Sequence, residues 1–178
     1  YNPEDPDPQQ RDRNLIVDYV EVDGPIEPSF DPERRARVMG CEPSGPEDLA
    51  CARRVVAEFA RRAWRRPLID DDVERLMGLV QLALDEGDPI DQGIQLALRA
   101  TLLSPNFIYR VELDPDPTSE APHRLGDHEL ATRLAYFLWS STPDAALLDA
   151  ADRGELQDGE RLSEQIERML DDPRSKAL

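Results

Sequence analysis

Chemistry in this chain has few places to reside. Cys41 and Cys51 are its only thiols, and His123 and His128 are its only imidazoles. Nine residues separate the cysteines. The histidine spacing does not complete a zinc signature with them, and a metal site would need further ligands. His128-Glu129 begins like a zinc-protease helix, but Thr132 stands where the second histidine would be. The plainer reading makes His128 a polar residue in a first helical turn after Asp127. No serine sits in a nucleophile-elbow context, no glycine-rich phosphate loop occurs, and "CxxCH" for covalent haem is absent. Asp114 and Asp116, like Asp5 and Asp7, alternate with prolines. They offer calcium two carboxylates where about six to eight oxygens are needed. The cysteines then allow two readings. A disulfide would tie a connector to the first long helix and stabilise the fold by about 3 kcal/mol through loop entropy. Two buried free thiols are the alternative, expected in a cytosol.

Two clusters of side chains offer contact surfaces rather than chemistry. In "ARRVVAEFARRAWRRPLIDDDVERL", six arginines fall between Arg53 and Arg66, followed by Asp70, Asp71 and Asp72. Helical spacing places Arg54, Arg61 and Arg65 opposite the apolar stripe, which makes them the candidate interface. The bland reading is a solvated face partly neutralised by those aspartates. Arg133, Tyr136 and Trp139 form the second cluster, a candidate aromatic-cation pocket that could face a cofactor. Core packing accounts for the same aromatic residues, Phe137 included.

Composition limits the partners. A formal net charge of −17 and a pI near 4.4 repel polyanions, so the chain is expected to bind neither nucleic acid nor an anionic membrane surface. All but Lys176 of the 21 basic residues are arginine, whose forks pair well with abundant carboxylates. No apolar run reaches transmembrane length and no signal peptide is present. The chain starts at Tyr1 without methionine and stops at Leu178 inside a helical pattern, so it reads as a piece of a longer polypeptide. An absent signal peptide then says nothing about compartment.

The elements that must position these residues are mainly helical. "YNPEDPDPQQRDR" is proline- and acid-rich and reads as an extended arm. "NLIVDYVEVDGP" alternates like a strand over Leu15 to Val22, either paired with "NFIYRVEL" (106–113) or belonging to an upstream β-domain, which is the favoured reading. Residues 26–45 read as a connector. From Glu47 the period is helical to Trp64, with Pro46 tolerated before it and Pro67 stopping it. Asp70 is expected to cap a second helix to Leu84, and Asp88-Pro89 to start a third. Beyond the polar linker, Leu130 to Trp139 forms one helix, Thr142-Pro143 caps the next to Gly154, and Asp158 opens the last. The fold class is therefore mainly α: two small three-helix units joined by a Pro/Asp-rich linker, with one or two short strands near the N-terminus. The boundaries are 1–45 for arm, strand and connector, 46–113 for the first helical domain, 114–124 for the linker and 125–178 for the second.

Three stretches together carry a family likeness: "CARRVVAEFARRAWRRPLIDDDVERL", "GIQLALRATLLSPNFIYRVE" and "LGDHELATRLAYFLWSSTPDAALLDAADRGEL". They resemble two adjoining helical domains of unknown function from large secreted bacterial proteins of the planctomycete cytochrome c-associated group. "LIVDYVEVDGPI" with "RRARVMGCEP" resembles the segment preceding those domains, the closing strand of a β-sandwich similar to carbohydrate-binding modules. The resemblance implies a middle portion of a protein with a c-type cytochrome domain elsewhere. No cofactor is expected within this stretch, because the haem-attachment motif is missing. It implies neighbouring domains of the same protein as partners, polysaccharide reached through the upstream module, and an extracytoplasmic location. That location favours the Cys41–Cys51 disulfide. No catalytic residues transfer with the likeness. The function expected is a scaffold positioning haem and glycan-binding domains. The alternatives are a share in an active site completed by neighbouring domains, or an interaction module using the arginine face.

Overall fold

In the computed structural model, residues 32–45, 48–110, 112, 116, 118 and 123–177 are described. The strand expected at Leu15 to Val22, the arm before it, and Pro46 and Glu47 lie outside the described residues. Eight α-helices and two 3-10 turns make up the described residues, with no strand among them. The helices are α1 (Pro32–Met39), α2 (Leu49–Trp64), α3 (Asp70–Asp85), α4 (Ile90–Leu103), α5 (Pro105–Ile108), α6 (Asp127–Trp139), α7 (Ala145–Asp152) and α8 (Gly159–Asp171).

The start of α2 illustrates how local chemistry sets an element. Asp48 is its N-cap, accepting the Cys51 N–H at 3.0 Å. Its other oxygen accepts the Ser44 N–H at 3.0 Å and the Ser44 hydroxyl at 2.8 Å. These donors hold the Asp48 carboxyl down at about 2. Cys51, one turn in, is joined to Cys41 by the disulfide, which pins the end of the α1 segment to α2. Arg35 of α1 is held at the other side by Glu42 and by Asp91 of α4.

Helices α2, α3 and α4 pack on one another around Val55, Val56, Ala60, Leu76, Val80, Ile94 and Ala97. Trp64 closes this core and donates its indole N–H to the Thr101 carbonyl at 3.1 Å. Helices α3 and α4 come close together at Gly93, where a Cβ would meet the Val80 carbonyl oxygen at 3.0 Å. A second, separate core lies under α6, α7 and α8 and joins Ala135, Leu138, Trp139, Leu147, Leu156 and Met169. Residues 33–178 nonetheless group as one compact unit.

Several expectations are corrected. The connector at 26–45 contains a helix, α1, over its described portion. The strand-like "NFIYRVEL" begins as the short helix α5. Pro105 sits at its first position and the Ser104 hydroxyl accepts the Asn106 N–H, so a local turn overrides β propensity. Asp70 is inside α3 rather than its cap. Ile69 is the N-cap residue, and Asp72 reaches back to its N–H at 3.2 Å. Asp144, not Thr142-Pro143, caps α7, by accepting the Leu147 N–H. Among the described residues eight α-helices stand where six were expected, because α1 and α5 are too short to show a periodic stripe.

Candidate functional site

The residues proposed for contact have three different fates. Arg54 is exposed and donates to the Gly40 carbonyl at 3.3 Å. Arg61 is partly covered and reaches across to α7, where it pairs with Asp149 at 3.0 Å and with Asp152. Arg65 is only 4% exposed. It follows the last residue of α2 in the left-handed conformation, with φ of 59°. Its guanidinium donates to the carbonyls of Ala63 at 2.7 Å, Asn106 at 2.8 Å, Phe107 at 3.3 Å and Tyr109 at 3.0 Å. The expectation that Arg65 is exposed therefore fails. Helical phase applies only while the helix continues, and the αL turn redirects this side chain onto the end of α5.

Across the junction, Asp152 also engages His128, whose Nε2 lies 2.7 Å from its Oδ1. Burial alone would push the Asp152 carboxyl up. The hydrogen bonds from Arg61 and His128 outweigh it and hold the group below its ordinary value. His128 lies in the first turn of α6, just after Asp127, as the plainer reading had it. Its ring faces the Asp152 carboxylate, and among the described residues no cluster of three or more metal-ligating side chains occurs.

The second sequence cluster is divided by the fold. Arg133 and Tyr136 share a shallow groove of ≈ 650 Å³ with Arg110 and Phe137, the last 70% exposed. Arg133 makes two hydrogen bonds with Glu112, both 2.6 Å, and Arg110 stacks over the Tyr136 ring at 5.0 Å. Trp139 is elsewhere, buried in the second core. Its indole N–H donates to the Met169 carbonyl at 2.9 Å, and Arg174 covers its ring at 3.5 Å. Helical geometry accounts for the split: Trp139 lies about 120° around α6 from Arg133, with Tyr136 between them, and the covering elements take the Trp139 side.

Beside that groove, a cleft of ≈ 430 Å³ opens between the end of α2, the α5 segment and the first turns of α6. Arg65, Arg66, Tyr109 and Arg110 line it from one side, His128 and Thr132 from the other. Sequence reasoning missed this cleft, because its walls come from segments some sixty residues apart in the chain, brought together only by packing. The signal available was the arginine pair just before Pro67, where a helix must end and side chains are redirected.

None of the described helices is long and apolar enough to cross a membrane. No curated protein matches the chain, and no solved structure does. Two family models match. Residues 51–112 correspond to "PSD5: Protein of unknown function (DUF1595)", and residues 125–178 to "PSD4: Protein of unknown function (DUF1592)". The first spans α2 to the segment after α5 and ends at Glu112; the second holds α6, α7 and α8. The chain thus carries two adjacent helical domains, a DUF1595 domain followed by a DUF1592 domain.

Proposed function

We propose that this region is a helical scaffold of a large exported, c-type-cytochrome-associated redox protein, in which it holds a haem domain and a glycan-binding domain at a fixed separation. The observation that carries this reading is the network joining the two domains. Arg61 of the first reaches Asp149 and Asp152 of the second, and His128 completes it on Asp152. Two cores that do not merge need such side-chain links to transmit a fixed geometry. The disulfide between Cys41 and Cys51 supports an oxidising compartment, where such bonds persist. The arginine-face alternative has less to offer, since Arg61 and Arg65 are occupied within the chain.

Residual dipolar couplings on the 178-residue protein test the rigid element directly. One alignment tensor should fit the amides of both domains, and Arg61→Ala should split it into two. Separate tensors for the unmodified protein would end the scaffold reading. The redox association is tested in the native full-length protein, which should show a haem absorbance band. The isolated chain should show none and should not be retained on DNA at physiological salt.

A further inference from the structure

We infer that His128 is the pH-sensitive element of the junction between the two domains, loosening the hold of Asp152 on Arg61 when its imidazole takes up a proton. The latch rests on the scaffold reading of the junction and adds the condition that loosens it. The two cores share no residue, and the helices that pack closely on one another lie within one domain or the other. Charged side chains span the junction instead. Arg61 of α2 holds Asp149 and Asp152 of α7, Arg133 of α6 holds Glu112, and Arg110 lies over the Tyr136 ring.

Asp152 is where a proton can intervene. One of its oxygens accepts from Arg61, and the other lies 2.7 Å from His128 Nε2. Arg61 belongs to the first domain, whereas His128 and Asp152 both belong to the second. A neutral imidazole with its proton on Nε2 donates to Asp152 and leaves the carboxylate its whole charge. Arg61 then faces two carboxylates, Asp149 and Asp152. An imidazolium gives Asp152 a counter-ion within its own domain, and two cations compete for one carboxylate. Arg61 keeps Asp149 at 3.0 Å, so the latch is weakened rather than removed.

The other charges around His128 set where the ring titrates without removing that competition. On its own helix, Asp127 and Glu129 favour the imidazolium, while the amino end of α6 opposes it. Arg65 and Arg66 at the end of α2, with Tyr109 and Arg110 beyond α5, line the cleft that His128 also lines. The three guanidinium groups oppose a further cation. At the end of α7, Arg153 feels Asp149 and Asp152 but gives its fork to Glu155. Asp152 stays ionised as the ring titrates, since despite burial the bonds from Arg61 and His128 hold it below its ordinary value.

The test uses the 178-residue protein and nitrogen-15 relaxation, which yields a tumbling time for the amides of each domain. The His128 ring resonances are followed in the same samples between about pH 8 and about pH 5, the range in which imidazoles ordinarily titrate. With the ring neutral, both domains should tumble as one body. Their tumbling times should then shorten along the ring titration, with the same midpoint. Trp64 and Trp139, one in each core, should keep their indole N–H resonances throughout, which separates loosening from unfolding. Linkage fixes a second sign: a proton that weakens Arg61 binds more readily in its absence, so Arg61→Met should move the ring midpoint up. His128→Gln keeps an N–H for Asp152 and should remain one body at the acid end. His123, the other imidazole, is felt by Glu112 of the second link, and His123→Gln should leave the response unchanged. One body across the whole titration would overturn the latch and leave the scaffold reading standing. Separate tumbling with the ring neutral would end both. A response that survives His128→Gln, one that vanishes in His123→Gln, or a midpoint that Arg61→Met fails to raise would each overturn the latch alone.

Discussion

Arg54 and Arg65 belong to the same arginine run, yet they make opposite demands on the fold. Arg54 is exposed and makes one long hydrogen bond, to the Gly40 carbonyl at 3.3 Å, so Arg54→Met should lower stability in urea by well under about 1 kcal/mol. Arg65→Met removes the donor that four carbonyls share around the end of α5. Buried acceptors left unmatched are expensive, and the variant should lose about 3 kcal/mol. Urea unfolding of both proteins measures the contrast. Equal and small effects would mean that water takes the place of the guanidinium. Trp64 lies at the same corner, and its burial against Thr101 matches the side of α2 that its spacing assigned to the core. Phe59 packs only partly against that core, and Leu102 of α4 is 40% exposed. The 3.6-residue spacing identifies a stripe well at its centre and poorly at its edges.

Between helices, close approach decides what a glycine is for. Gly78 lies on the exposed side of α3, with nothing within 4 Å of the position a Cβ would take. Gly78→Ala should raise stability by about 1 kcal/mol through helix propensity. Gly93 lies in α4 against Val80 of α3, whose backbone atoms stand 3.0 and 3.1 Å from where an added methyl would sit. Gly93→Ala should reverse the sign and lose about 1–2 kcal/mol, the overpacking cost exceeding the propensity gain. Thermal unfolding of the two variants side by side separates these effects. A stabilised Gly93→Ala would mean that α3 and α4 can move apart freely. The same element pair shows how much of the fold was legible. The third long helix and its apolar stripe were readable from Ile90, Ile94 and Ala97, but the short helices α1 and α5 were not. Eight and four residues are too few to display periodicity, and capping by Ser104 and Pro105 resembles any loop start.

At the scale of the whole molecule, the paired carboxylates set the response to acid. Asp48 and Asp172 are both held at about 2, the first by the Ser44 and Cys51 amides, the second by Arg174. Asp144 is also lowered: burial works against this, but Arg168, the Leu147 amide and Arg174 outweigh it. Asp72 follows the same pattern, with burial opposed by Arg66, the Ile69 amide and Arg75. A carboxyl lowered in the folded state favours folding wherever it is ionised in both states. Its contribution is complete above the ordinary value of 3.8 and disappears as pH falls through the folded value of about 2. Urea midpoints should therefore drop steeply between about pH 4 and about pH 2. The sites lie in both domains and at their junction, with Asp152 among them, so both cores should weaken together. A flat profile across that range would mean that these carboxyls titrate alike in the folded and unfolded chain, and would overturn this account of acid sensitivity.

Periodic apolar positions, helix-ending prolines and the cap at Asp158 already determined a mainly helical chain with a long basic helix. These are local effects, set by neighbours within a turn or two, and a linear reading has access to them. Which arginine is buried, which aromatic leaves the surface, and where a cleft opens were decided by tertiary structure. Arg65 turns inward only because α2 ends one residue earlier and α5 lies beneath it. Trp139 parts from Tyr136 because α8 and the Pro173–Ala177 turn cover one side of α6. The cleft exists because α6 begins beside the end of α2. That meeting depends on long-range packing, which no spacing within either segment records.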